Sequence, residues 1–333
     1  MMEKDIFKHT NTTHLSFIGF GTKQDITKNS SSGGIFAMIA EYILKNGGVV
    51  YGAAMTYDNG QLECRHLRIE KNDDLVKLQG SKYVHSKTNG IFKQVKNDLD
   101  NGRIVLFSGT SCQVYALNSY VGNHGNLYAV DLVCHGVPMD KLFRDYIIFL
   151  EKSKKCKITG MTFRLKRKYD LYISGEDKNG KPFKEMISSK KSAYYKMFLQ
   201  RAGYRKSCYN CLWANIDKPS DCTLGDFIPR QAEIHKYNLN STEVYSSLII
   251  HTEKGQNLLK NLDDSIKLQS ITIEEMLSHH KNLSQPSIAS KAGKRLYNIY
   301  NRYGMKNLQH FVDFVFILRS VWSYVAIVFN KRG

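Results

Sequence analysis

A chain of 333 residues, 42% of them hydrophobic, is long enough to bury a sizeable core and too apolar to be disordered. Its formal charge of +18 is spread along the whole sequence and the tightest basic run, Lys166-Arg167-Lys168, is short, which argues against sequence-specific nucleic-acid reading and for an anionic cofactor, an acidic redox partner or a membrane surface. Seven cysteines with no apolar leader in the polar stretch Met1 to Thr13 place the protein in the cytoplasm and point to ligands, redox chemistry or buried thiols before a disulfide framework.

Residues 1–24 read as a polar N-terminal segment, residues 25–265 as the main domain and residues 266–333 as a helical C-terminal region. Gly34 to Asn46 is apolar almost all round, with serines before it and Gly47-Gly48 after it, which predicts a buried helix with a glycine stop. Val49 to Ala54 reads as a strand. Arg103 to Phe107 predicts a strand that runs into Ser108-Gly109-Thr110-Ser111-Cys112-Gln113 and a helix; Leu127 to Val133 predicts another, running into Cys134-His135-Gly136. This order predicts an α/β (mixed α+β) fold, a central sheet with flanking helices and functional loops at strand ends. Between about residues 157 and 189 the pattern alternates around Lys178-Asn179-Gly180, predicting an antiparallel insertion with a hairpin turn. Ser192 to Ala202 then reads as a helix, Tyr204 to Asp226 as a cysteine-bearing loop and Tyr245 to His251 as a strand. The apolar stretch of residues 311–329 is broken by Asp313 and Arg319, so it predicts an amphipathic helix on the core or a partner, with peripheral contact to the inner membrane as the alternative to a span.

Three constellations carry chemistry. Asn29-Ser30-Ser31-Ser32-Gly33-Gly34 opens the buried helix, where unpaired N–H groups and small residues suit a diphosphate, although a serine–glycine helix start is the commoner meaning. Cys208-Tyr209-Asn210-Cys211 has the two-residue spacing that lets both sulfurs face one metal or cluster, and no second such pair exists. Cys112 and Cys134 both follow predicted strands, so the four sulfurs can converge; spacing leaves an iron–sulfur cluster, zinc and unconnected cysteines all open. In Gly225-Asp226-Phe227 the aspartate can meet a cofactor hydroxyl or hold a loop. Gly80-Ser81-Lys82-Tyr83 offers a lysine and an aromatic ring, and His135 is the candidate proton donor.

In order along the chain, Ser30-Ser31-Ser32-Gly33-Gly34, Gly47 to Ala53, Ser81 to Val84, Gly109 to Gln113, Asp131 to Pro138, Cys208 to Cys211 and Ser220 to Phe227 together resemble the coenzyme F420 hydrogenase/dehydrogenase beta-subunit family, over about residues 25–230. The resemblance implies FAD and a [4Fe–4S] cluster. It implies that Cys112, Cys134, Cys208 and Cys211 ligate iron and that Ser31, Ser32, Gly33, Gly34, Lys82 and Tyr83 hold the flavin, with Thr110 and Asp226 as further cofactor contacts. Relatives of this kind often begin with a cysteine-rich ferredoxin-like segment, whereas no cysteine precedes Cys64 here. The implied electrons therefore come from a separate donor, an acidic ferredoxin, a reduced nicotinamide or a deazaflavin. They pass to a small, nucleotide-linked substrate, with surface-polysaccharide synthesis as the implied setting. Ile228-Pro229 stands where relatives carry a tryptophan and a glycine, which alters the wall of the site. The competing expectation is a zinc-stabilised or cofactor-poor accessory protein of a glycan-assembly complex. Cys64, Cys156 and Cys222 are expected to be structural thiols.

Overall fold

The computed structural model describes residues 14–165 and 168–330. In chain order the regular elements are β1 (Leu15–Gly21), α1 (Gln24–Thr27), α2 (Ile35–Lys45), β2 (Val49–Asp58), β3 (Gln61–Ile69), α3 (Leu75–Leu78), α4 (Ile91–Asp100), β4 (Val105–Gly109), α5 (Ser111–Val121) and β5 (Leu127–Leu132). They continue with α6 (Asp140–Lys154), β6 (Cys156–Thr162), β7 (Asp170–Asp177), β8 (Pro182–Ser188), α7 (Ala193–Leu199), β9 (Cys222–Phe227), α8 (Gln231–Lys236), β10 (Tyr245–Ile250), α9 (Glu253–Lys260), β11 (Ile266–Ser270), α10 (Ile273–His279) and α11 (Lys291–Asn330).

One sheet of eight strands runs in the order β11-β1-β10-β9-β5-β4-β2-β3. The middle four, β9, β5, β4 and β2, are mutually parallel, and the flanking pairs are antiparallel. Both faces of the middle strands are covered, so successive residues feed two different cores. Val50, Leu106, Val130, Leu224 and Leu248 pack with α2 and α9 on one side. Val49, Tyr51, Val105, Phe107 and Ala129 pack with α4 and α5 on the other. The antiparallel insertion is present as a separate sheet, β6-β7-β8, which shares a further core with α6, α7 and α11. Its β7–β8 turn carries Gly180 at φ +76°, as the Asn-Gly pair predicts.

Two boundaries differ from the sequence reading. Leu15–Gly21 is an inner strand of the main sheet rather than part of a polar tail. Its two glycines weaken the strand signal, yet Gly19 is needed there: a Cβ would stand 2.2 Å from the Lys267 carbonyl oxygen of the neighbouring strand. That neighbour, Ile266–Ser270, is itself a strand inside the region read as helical. α11 is broken at Gly304, with φ +76°. Met305, Leu308 and Val312 are buried on its inner side, while Phe311, Phe314, Ile317 and Leu318 are exposed. Among the described residues no helix is long and apolar enough to cross a membrane.

Candidate functional site

Parallel strands deliver their C-terminal ends to one edge of the sheet, and two of the four singled-out cysteines sit there. β4 ends at Gly109 and α5 begins at once, with Thr110 as its N-cap. The Thr110 N–H donates to Gln113 Oε1 at 3.0 Å, closing a capping box, and the Thr110 hydroxyl lies 3.1 Å from Cys112 Sγ. Thr110 is thus a helix cap. Cys112 is exposed in the first turn of α5.

β5 ends at Leu132, and the chain continues through Cys134 into a stretch that pairs with the segment leading to the other two cysteines. Pro138 and Tyr204 form an antiparallel bridge, and the Arg205 N–H donates to the Val137 carbonyl at 3.0 Å. Gly136 makes that approach possible. Its φ is +103°, and a Cβ there would lie 2.5 Å from the Tyr204 ring and 3.1 Å from Cys208 Cβ. The Gly136 N–H donates to Cys134 Sγ at 3.3 Å, and a short 3₁₀ turn, Lys206–Asn210, carries Cys208.

The four thiols are close enough to act on one another electrically. Burial pushes the Cys134 thiol up to about 12; the Gly136 N–H opposes this, and the negative forms of Cys112, Cys208 and Cys211 add to it. Burial likewise raises Cys208, with the Val137 N–H opposing and Cys112 and Cys211 adding. Without a metal these two are neutral thiols at neutral pH, so binding a cation would release protons. Among the described residues no group of three or more His, Cys, Asp or Glu side chains is drawn together tightly enough to grip one metal ion. A [4Fe–4S] cluster takes one thiolate on each iron and a structural zinc ion takes four on one metal, so both draw on the same type of donor. Cys64 and Cys222 are fully buried elsewhere, and Cys156 opens β6.

The serine–glycine helix start is occupied by its own packing. The Ser81 N–H donates to Ser31 Oγ at 2.7 Å, and the Ser32 hydroxyl donates to the Tyr245 carbonyl at 2.8 Å. A Cβ on Gly33 would meet the Gly19 oxygen at 2.5 Å and the Ser246 nitrogen at 2.8 Å, so its smallness lets the loop lie on the sheet. Gly34 is the N-cap of α2, with φ +82°. Lys82 also differs from expectation: its ammonium donates to the carbonyls of Lys77, Leu78 and Gln79, closing the C-terminal end of α3. Burial lowers its pKa to about 8. The Tyr83 ring stacks on Phe198 with centroids 4.3 Å apart and packs against Phe163 and Tyr195.

Beside this loop opens a cavity of about 860 Å³. One wall is Gln79, Gly80, Ser81 and Lys82; the other is the small sheet, with Met161, Tyr172, Ile173 and Met186. The volume is that of a cofactor-sized site, with a polar, lysine-bearing wall facing a largely apolar one. Its wall leads toward the cysteines: three residues after Lys82, His85 Nε2 lies 2.7 Å from Arg205, and Arg205 precedes Cys208 by three. Three extended residues span about 10 Å.

Two buried groups were missed in the sequence. Arg164, 2% exposed, ion-pairs with Asp226 and stacks its guanidinium 4.5 Å from the Tyr169 ring centroid. Asp226 therefore ties β9 to the segment after β6. Asp131, wholly buried, accepts from the Thr223 hydroxyl at 2.5 Å. Arg164 lies in no recognisable motif, and Asp131, though it opens the Asp131–Pro138 segment, gave no signal of its own beyond a charge inside an apolar run. The His135 carbonyl accepts from the Ser287 hydroxyl at 2.5 Å; the residue as a whole is exposed, while its ring is set among protein atoms so that desolvation first and Arg201 next hold the imidazole below the usual range.

Comparison with known families decides the lineage. The family model for the C-terminal part of the coenzyme F420 hydrogenase/dehydrogenase beta subunit matches residues 102–275, and the one for its N-terminal part matches residues 17–93. The chain belongs to this family. Its members are redox subunits, so a redox role is the coarse assignment. Among solved structures, a chain of the F420-reducing [NiFe] hydrogenase complex from Methanosarcina barkeri, studied by xenon derivatization, aligns with a TM-score of 0.52 at 16% identity over 90% of this chain and 96% of that one. At that identity the likeness is one of fold. No curated protein matches the sequence.

Proposed function

We propose that this family member passes electrons between a [4Fe–4S] cluster on Cys112, Cys134, Cys208 and Cys211 and an FAD in the cavity beside Gln79–Lys82. The observation that carries the reading is the convergence of four cysteines from three distant stretches, held by the Val137–Arg205 and Pro138–Tyr204 pairings. A cluster supplies one-electron chemistry, and a flavin joins it to two-electron chemistry when bound. This chain's part is to hold the thiols, exclude water from Cys134 and line the flavin pocket with Met161, Tyr172 and Met186. Because the Lys82 ammonium is held by carbonyls, Lys77 and Lys184 at the cavity wall are the cations in this reading that meet phosphate oxygens.

The electrons come, in this proposal, from a separate donor such as an acidic ferredoxin, drawn by the net charge of +18. They leave to a small substrate, of nucleotide-linked type, at the flavin. The protein works in the cytoplasm, and the exposed Phe311, Phe314 and Leu318 support a peripheral partner or inner-membrane contact. Anaerobic purification with iron, sulfide and flavin quantified is the test. Cys208→Ser and Cys211→Ser are expected to lose iron while keeping most of the flavin; full iron retention would show that these thiols are not ligands.

A further inference from the structure

A continuous line of hydrogen bonds crosses the protein from solvent to the back of the cysteine site. It starts at Asp217, whose side chain is 85% exposed and whose Oδ1 lies 3.1 Å from His14 Nε2. His14 Nδ1 is 3.2 Å from His251 Nδ1, with the two rings edge to face. His251 Nε2 is 2.8 Å from the Thr223 hydroxyl, and that hydroxyl donates to Asp131 Oδ1 at 2.5 Å. Thr223 and Asp131 are both wholly buried and directly opposite in the β5–β9 ladder.

The inner end of this line lies beside the cysteines. Asp131 precedes Cys134 by three residues, and the hydroxyl of Ser111, next to Cys112, faces its carboxylate. Lys218 acts electrostatically on Asp131, Cys134 and Cys211 alike. Asp131 Oδ2 and the nearby Ser220 Oγ are buried with no partner at ordinary hydrogen-bond distance, although the Ser111 and Ser220 hydroxyls lie near enough to steady the charged carboxylate, so that oxygen is only loosely held. A buried carboxylate left half-satisfied in a native core calls for a functional reason.

We propose that Asp217, His14, His251, Thr223 and Asp131 form a proton relay that lets Asp131 take up one proton from solvent when an electron enters the cysteine site, and return it on oxidation. This rests on the iron–sulfur reading above. When His14 carries both ring protons, its Nδ1–H passes to His251 Nδ1, His251 releases its Nε2–H to Thr223 Oγ, and Thr223 releases its own hydroxyl proton to Asp131. The bond that finally forms is O–H on Asp131, and His14, which took the incoming proton at Nε2 from water beside Asp217, is left neutral with that Nε2–H in place. One proton enters for one electron from the external one-electron donor, so charge balances, and oxidation runs the same bonds backwards and restores the His251 tautomer. Adding a lone electron to a low-dielectric interior is unfavourable, and a proton arriving nearby offsets it.

The groups facing the relay agree with this direction. Around Asp131 stand Thr223, Ser111, Ser220, the Lys218 cation and the Cys222 thiol. Burial holds Asp131 above the ordinary carboxylate range, which favours proton uptake. Around His251 stand His14, Lys218 and Asp217; burial holds its imidazole down to about 3, so it is neutral and can carry a proton through rather than trap one.

The test is a redox titration of the anaerobically prepared, iron-loaded full chain, followed by electron paramagnetic resonance from acid to alkaline pH. The wild-type midpoint potential is expected to fall by about 59 mV per pH unit, the shift for a tenfold change in proton concentration at one proton per electron. Asp131→Asn, at equal iron content, is expected to lose that slope. Thr223→Val interrupts the relay without changing its end point, so it should keep the slope and slow photochemical reduction at least tenfold, with Thr223→Ser restoring the rate. A pH-independent wild-type potential, a full slope in Asp131→Asn, or a Thr223→Val variant reduced as fast as wild type would overturn the relay while leaving the cluster in place. A wild type devoid of iron would instead remove the cluster reading, and the relay with it.

Discussion

The ion pair between Arg164 and Asp226 is the most exacting energetic test of this architecture. Arg164 sits in the segment that follows β6 and is 2% exposed; Asp226 sits in β9, its side chain 38% exposed. Removing one partner of a buried pair destabilises by roughly 3–5 kcal/mol, because the remaining charge is left uncompensated. Here the Tyr169 ring would keep part of its cation–π attraction for the guanidinium, about 1 kcal/mol, and Asp226 is partly solvated. Asp226→Leu should therefore cost about 3 kcal/mol, which in a chain of 333 residues lowers Tm by roughly 4 °C. Replacing both partners, Arg164→Met with Asp226→Leu, removes the stranded charge and should recover most of the loss. Calorimetry on wild type, both single variants and the double variant measures the coupling directly. If Asp226→Leu melts within 1 °C of wild type, or if the double variant is as unstable as the worse single one, the pair does not bind the insertion to the main sheet as argued.

Acid should destabilise the protein steeply. Burial holds the imidazoles of His66 and His280 down to about 4, below the ordinary value near 6.5, so between those two pH values the unfolded chain binds protons that the folded one refuses. Stability is then present above about pH 6.5 and lost as pH falls toward 4, at about 1.4 kcal/mol per pH unit for each group. Urea unfolding over that range checks it, and His66→Gln should flatten the slope; an unchanged slope would mean that His66 already takes up a proton in the fold. Gly136→Ala is expected to fold its main sheet while displacing Tyr204 and Cys208, since a Cβ would sit 2.5 Å from the Tyr204 ring. Iron binding should fall with little change in far-ultraviolet circular dichroism, and a fully iron-loaded variant would refute the close-approach argument.

How much of this was legible beforehand depended on the range over which each feature is decided. Gly34 to Asn46 announces a helix because its apolar positions and its glycine stop are local, and helix formation there depends on neighbours within a turn or two. The strands into Cys112 and Cys134 were readable for the same reason, as was the hairpin at Gly180. β1 was not, because Gly19 and Gly21 weaken the local pattern and only the strands beside it explain why glycine is required.

The chain's residues by themselves carried the family motifs and put four cysteines forward as able to meet, while their spacing left a cluster, zinc and unconnected thiols all open. Tertiary packing alone decided what the side chains do. Lys82 turned its ammonium onto carbonyls one turn away, Gly33 proved to be a packing glycine, and Asp226 found Arg164 across 62 positions. The line from Asp217 to Asp131 joins residues 14, 131, 217, 223 and 251, and no local pattern connects them. Hydrogen bonds and ion pairs form between whichever groups the folded backbone brings within about 3 Å, and over long separations that proximity is a property of the fold.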